Sequence, residues 1–223
     1  MSDSEDEEVA DTHLKIVVLG DGGCGKTSTV TRYSQDQFSK SYEPTLGVEF
    51  YLKRIVLPGN KNVTLQMCDV GGQTLGGSMF DKYIYGANGF IMLYDITSNQ
   101  SFENIDSWLT SSKAVEYTTE PHYMLVGNKV DLEHQRVVSK KKHDTYATDN
   151  NMGSHFISAK TGDSVDLCFK KLAADILKIK LSKAEVDGAH RVVKAEVKSS
   201  KVESKPSVRS RPTKPKSSIC LMQ

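Results

Sequence analysis

Eight consecutive residues constrain this chain most. Gly20-Asp21-Gly22-Gly23-Cys24-Gly25-Lys26-Thr27 fits the pattern GxxxxGK[ST]. Its glycines let backbone N–H groups converge on an anion, and a helix beginning there adds its positive end. Lys26 would reach the β- and γ-phosphates of a bound nucleotide, and the Thr27 hydroxyl would sit on Mg²⁺. The loop also has the context it needs. Leu14 to Leu19 is a short β-branched run before it, and a helix-like stretch from Lys26 follows.

Periodicity continues the alternation. Val48 to Leu57 and Asn62 to Cys68 are strand-like and flank Pro58-Gly59-Asn60-Lys61, a hairpin signal. Gly89 to Tyr94, His122 to Gly127 and His155 to Ser158 are further apolar runs. Ser101 to Ser112 and Val138 to Thr148 read as helices, and Val165, Cys168, Phe169, Leu172 and Ile176 fit one face of a last one. Strands alternating with helices predict an α/β fold: a P-loop NTPase with a mainly parallel six-stranded sheet and helices on both faces.

After about Leu181 the pattern dissolves into Lys, Ser, Val and Pro. The chain therefore divides into an acidic flexible arm (1–12), a folded domain (13–181) and a flexible basic tail (182–223). The acidic start is no secretory signal, and no apolar run approaches bilayer length, so the cytosol is the expected compartment. The 4 cysteines form no CxxC pair, so neither a zinc site nor a disulfide framework is suggested.

Three further motifs follow apolar runs. In Asp69-Val70-Gly71-Gly72-Gln73 the carboxylate can hold Mg²⁺. In Asn128-Lys129-Val130-Asp131, Asp131 can accept two hydrogen bonds from the guanine edge. Ser158-Ala159-Lys160 closes the set. Each is weak alone; their order and spacing are strong.

With these motifs in place the chain resembles a small GTPase of the Ras superfamily, most like a divergent member of its Rab branch. The likeness runs through LKIVVLGDG, GGQTLGGSMFDKYIYGA, DITSNQSFEN, VGNKVDLEH and SAKTGDS. It implies GTP or GDP with Mg²⁺ as the bound cofactors and GTP hydrolysis as the activity. By position, Asp21 to Thr27 with Ser28 would wrap the phosphates, and Phe38 would pack against the base or ribose side. Tyr42 and Thr45 resemble the first switch, with Thr45 joining Thr27 and Asp69 on Mg²⁺. Gly72 would contact the γ-phosphate and Gln73 would orient the attacking water. Asn128 and Asp131 would read guanine, Lys129 would lay its stem over the base, and the Ala159 N–H, between Ser158 and Lys160, would meet the guanine oxygen.

The resemblance also implies partners: an exchange factor, an activating protein, effectors of the GTP form, a prenyl-binding chaperone and a membrane, with no nucleic acid. The first switch, Phe38 to Thr45, contains Lys40 but no arginine, so hydrolysis should be slow until an activating protein supplies one. In related enzymes that is worth about 10⁵-fold, or about 7 kcal/mol of barrier. The chain departs from the Rab pattern at Cys68, Val70, Gly71 and Thr74. The aromatic triad that serves Rabs as an effector surface would here be Phe50, Cys68 and Tyr83, and the double glycine adds backbone freedom to the second switch.

Cys220-Leu221-Met222-Gln223 is a CaaX ending whose final Gln favours farnesylation of Cys220. One lipid binds membranes marginally, and the basic residues from Lys205 to Lys216 would add a second signal. The leading expectation is a membrane-tethered switch in vesicle traffic, with a cilium or endosome as its implied location. The alternatives are a nucleotide-binding scaffold that hardly hydrolyses and a P-loop kinase. The latter lacks an Arg-rich lid.

Overall fold

The computed structural model of the chain describes residues 12–184 and 186. Residues 1–11 of the acidic arm and the basic tail other than 182–184 and 186, Cys220 included, lie outside the described residues.

Six strands form one sheet: β1 (Thr12–Leu19), β2 (Val48–Leu57), β3 (Lys61–Val70), β4 (Gly89–Asp95), β5 (His122–Asn128) and β6 (Gly153–Phe156). Their order across it is β2-β3-β1-β4-β5-β6. Only the β2–β3 hairpin is antiparallel; the other four pairings are parallel. Among the described residues six α-helices accompany them, α1 (Lys26–Gln35), α2 (Phe80–Ile84), α3 (Asn99–Glu103), α4 (Ile105–Lys113), α5 (Lys140–Asp149) and α6 (Val165–Ile176), with a 3₁₀ helix over Val130–Gln135.

The sequence shows why this sheet is covered on both faces. Along β1, Leu14, Ile16 and Val18 enter one core with Val30, Tyr33, Phe169 and Leu172 of α1 and α6. Val17 and Leu19 enter the opposite core with Phe80, Ile84, Phe102 and Trp108 of α2, α3 and α4. Alternate residues of a strand point to opposite faces, so an unbroken apolar run is what a doubly covered strand requires. Central β4 is buried at every position.

Parallel pairing also assembles the site. It brings the carboxyl ends of β1, β3, β4, β5 and β6 to one edge, where ligands of open α/β sheets bind. The register sets Val18 beside Asp69 and Asp95 beside Asn128.

The elements differ from the sequence reading in three places. The helix expected over Ser101 to Ser112 is two segments that meet at Asn104, whose side chain reaches back to the phosphate loop. The last strand ends at Phe156, because the Ser158 N–H turns to the Asp163 carbonyl instead of pairing with a strand. The five-residue α2 was not foreseen, being too short to show a period.

Candidate nucleotide site

The phosphate loop leaves β1 at Gly20 and enters α1 at Lys26. Gly25 is the hinge between them. Its φ of 95° is left-handed, and a Cβ there would run into the Asn128 side-chain amide. Lys26 is buried, and its ammonium donates to the Gly20 and Asp21 carbonyls at 2.8 and 2.9 Å. The ammonium of the loop is thus held over its own backbone, where a polyphosphate would lie.

Asp21 faces the other way. Its carboxylate accepts from Asn104 Nδ2 at 2.6 Å and from the buried Trp108 indole N–H at 3.0 Å. The loop is thereby pinned to the α3–α4 segment. Cys24 is also turned inward, its thiol donating to the Asp21 carbonyl at 2.9 Å. Burial pushes that thiol up to about 11, so it stays protonated and unreactive at neutral pH.

Thr27, Thr45 and Asp69 meet, as their sequence assignment to one cation requires. The Thr27 hydroxyl donates to Asp69 Oδ2 at 2.5 Å and lies 2.9 Å from the Thr45 hydroxyl. Thr45 in turn donates to the same carboxylate oxygen at 3.1 Å. Burial raises the Asp69 carboxyl above the usual carboxylate range, with the two hydroxyls and Lys26 opposing that shift. Its second oxygen, Oδ1, is buried without a hydrogen-bond partner. A buried carboxylate with an orphan oxygen beside two hydroxyls is a donor set for a hard cation, and it fits Mg²⁺ completed by phosphate oxygens and water. Among the described residues no cluster of three His, Cys, Asp or Glu offers an alternative metal site.

The motifs expected to read the base are brought to the same cavity from the other side. Asp131 Oδ1 accepts from the Ser158 hydroxyl at 2.7 Å, and Lys160 stands 3.5 Å from Oδ2. Ser158 is buried, so it orients Asp131 from behind. The Ala159 N–H donates to Asn128 Oδ1 at 3.1 Å. Lys129 has a left-handed φ of 70° and donates to the Gly23 carbonyl at 2.9 Å.

These walls enclose a cavity of about 510 Å³, the size of a nucleotide pocket. Gly22, Gly23, Ser28, Phe38, Tyr42, Gly72, Gln73, Lys129 and Asp131 all line it; Asp21, Cys24, Asp69 and Ser158 do not. Gly72 is pressed against the phosphate loop, since a Cβ on it would collide with the Gly22 backbone nitrogen. The Tyr42 hydroxyl would lie 3.2 Å from a Cβ on Gly22, so the first switch crosses above the loop. Gln73 is exposed.

The departures at the second switch have a structural form. Phe50 is 59% exposed, but Cys68, its register partner, is 0% exposed and belongs to the core beside α2. The expected triad therefore offers Phe50 and the half-buried Tyr83 to a partner, while the thiol offers no surface. Burial pushes the Cys68 thiol up to about 11 as well.

Sequence reasoning missed several residues that hold the site. Asp95, at the end of β4, pairs with Lys129 at 2.7 Å and caps Thr97, fixing the lysine stem. Arg32 of α1 donates to the Ala159 and Lys160 carbonyls at 3.0 and 2.9 Å and reaches Asp36 at the entry to the first switch. Asn104 and Trp108 anchor Asp21. All four are second-layer contacts formed by segments distant in sequence, so no local motif marks them; only the position of Asp95 at a strand end hinted at a role.

Comparison with known proteins gives the family. The Ras family pattern matches residues 15–178. The chain is similar to the Ras-related protein Rab-28 of Caenorhabditis elegans, at 44% identity over 86% of this chain and 78% of that protein. It is 37% identical to the Ras-related protein Rab-13 of Bos taurus, over 74% of this chain and 81% of that one. It is 38% identical to the Ras-related protein Rab-10 of C. elegans, over 75% and 82%.

Proposed function

Because the chain belongs to the Ras family of small GTPases, within its Rab branch, we propose that it cycles on and off a membrane and that its GTP form, closed by Thr45, recruits effectors. It binds GTP and GDP and hydrolyses GTP. One observation carries the reading of the switch: the Thr45 hydroxyl of the first switch joins Thr27 and Asp69 in a single cluster.

Thr27, Thr45 and Asp69 would hold Mg²⁺, which when bound neutralises charge developing on the phosphates. Lys26, already poised over the loop, binds the β- and γ-phosphates. Gly72 brings a backbone N–H to the γ-phosphate, and Gln73 orients the attacking water. Loss of the γ-phosphate removes what holds Thr45 and Gly72 inward, and both loops relax. Among the described residues no arginine lines the cavity, and Arg32 is committed to carbonyls. Hydrolysis is therefore slow alone and fast when an activating protein inserts an arginine. An exchange factor reloads GTP, and a prenyl-binding chaperone carries the Cys220 lipid between membranes. Among the described residues no helix is long and apolar enough to cross a membrane, so the lipid and the basic tail are the proposed anchors.

Single-turnover GTP hydrolysis, alone and with a panel of Rab-directed activating proteins, tests this account. The wild-type chain should release phosphate slowly and accelerate with one of the panel, while Gln73→Leu should stay loaded with GTP. No phosphate release under any condition would leave the scaffold reading.

A further inference from the structure

The outermost strand of the sheet, β2, carries an apolar stripe: Phe50, Leu52 and Val56 are 59%, 69% and 62% exposed. Residues opposite one another in register share a face. Leu52 stands beside Gln66 and Gln66 beside Lys15, while Arg54 stands beside Thr64 and Thr64 beside His13. The stripe is thus crossed by two rows that each bring a cation, Lys15 or the exposed Arg54, and both rows run back to the first residues of β1. The Lys15 ammonium stays on this side, donating to the Tyr85 carbonyl at 2.6 Å. Among the described residues no strand position of this face, from β2 across β3 to the start of β1, carries a carboxylate. An apolar edge strand is a surface that proteins cover or charge.

The sequence holds a complement to it. Residues 1–11 contain Asp3, Glu5, Asp6, Glu7, Glu8 and Asp11 and no lysine, arginine or histidine. They enter β1 at Thr12, one residue before His13, so the arm starts at the border of this face. Two strand spacings, about 10 Å, separate β1 from β2. Eleven residues extend to about 36 Å, so the arm can turn back and reach Leu52. Other occupants carry the wrong charge. A second copy presenting the same face would set cations against cations, and from Lys205 to Lys216 every charge is positive.

We propose that the acidic arm, residues 1–11, docks on this sheet face, its carboxylates on Arg54 and Lys15 and its backbone across Leu52 and Val56. Docked there, the arm shields the apolar edge from other proteins.

Hydroxyl-radical footprinting, read residue by residue by mass spectrometry, tests this on the GDP-loaded full chain. Wild type and Arg54→Glu are compared with a chain whose arm carboxylates are all changed to amides (Asp3→Asn, Glu5→Gln, Asp6→Asn, Glu7→Gln, Glu8→Gln and Asp11→Asn). Amidation should raise oxidation of Leu52 and Val56 about threefold, as loss of a weak contact between exposed charges would. Arg54→Glu should match it, and salt at about 0.5 M should do the same to wild type. Val137, 58% exposed ahead of α5, should not change, which reports an intact fold. Equal oxidation of Leu52 and Val56 in wild type and the amidated chain overturns the proposal, as does a rise on amidation that Arg54→Glu does not reproduce. Protection that vanishes on dilution gives the face to a second copy, and protection lost on neutralising Lys205 to Lys216 gives it to the tail; either result also overturns the proposal.

Discussion

The Asn128 side-chain amide donates to the Cys24 carbonyl at 2.9 Å, tying the end of β5 to the phosphate loop across 104 residues of sequence. Its oxygen meanwhile accepts from the Lys129 and Ala159 N–H groups at 2.8 and 3.1 Å. One buried side chain thus joins the phosphate loop to both base-reading loops. Asn128→Ala strands three backbone groups, and a buried polar group left unpaired costs about 1–3 kcal/mol. The variant should unfold at lower urea in its GDP-bound form and release GDP faster.

Asp69 predicts an opposite response to metal. A carboxyl raised by burial contributes stability at acid pH that is lost as pH rises through its folded value. Removing its charge should therefore help when no cation compensates it. In EDTA, Asp69→Asn should melt at or above wild type at pH 8, the advantage shrinking as pH falls towards the carboxylate range. In Mg²⁺ the order should reverse. A variant that is less stable than wild type by the same margin in both buffers would count against a cation at this carboxylate.

His143 is fully buried between Tyr94 Oη, 2.9 Å from Nδ1, and Ser154 Oγ, 3.0 Å from Nε2. Burial lowers its pKa to about 4, with Arg136 and His155 adding to the effect and Asp144 opposing it. A histidine lowered on folding contributes stability that is present above about pH 6.5 and is lost as pH falls towards its folded value. Across that window the loss approaches about 3 kcal/mol. Urea unfolding of the GDP form at pH 7.5, 6 and 5 should show this fall, and His143→Gln should flatten it.

How far the sequence alone reached follows from the range of each interaction. The strands of the sheet were legible because doubly covered strands are short unbroken apolar runs, and α6 because Val165, Cys168, Phe169 and Leu172 repeat on one face. The phosphate loop and the two motifs expected to read the base are local strings, and the structure brings residues of each to one cavity, with Asp69 joined to it through Thr27 and Thr45. That a thiol at Cys68 removes interface area was legible, but its depth was not, because a single residue type says nothing of burial: strand pairing sets it beside Phe50, and α2 covers it. Arg32, Asn104 and Trp108 were invisible because their partners lie in other elements, and Asp95 offered only its place at a strand end. Gly71 could be seen as a glycine, but not that the Thr45 carbonyl rests against it.

Membrane attachment is predicted to depend on Cys220 and the basic tail together. Cys220→Ser should move the protein from the membrane to the soluble fraction on cell fractionation. Neutralising the lysines and arginines between Lys205 and Lys216 should weaken binding to anionic vesicles by about 1 kcal/mol per charge before screening. Persistent membrane binding of Cys220→Ser would show that another anchor dominates.

One cavity combines a phosphate loop with Asp131, the carboxylate proposed to read guanine, held by Ser158. Competition against fluorescent GDP on the full chain in Mg²⁺ tests this most directly. GTP and GDP should displace the probe and ATP should not, because only the guanine edge offers Asp131 its two donors. Asp131→Ala should erase most of that preference, which for a buried hydrogen-bonding site is about 10⁴-fold. ATP competing as well as GTP against the wild-type chain would contradict the account.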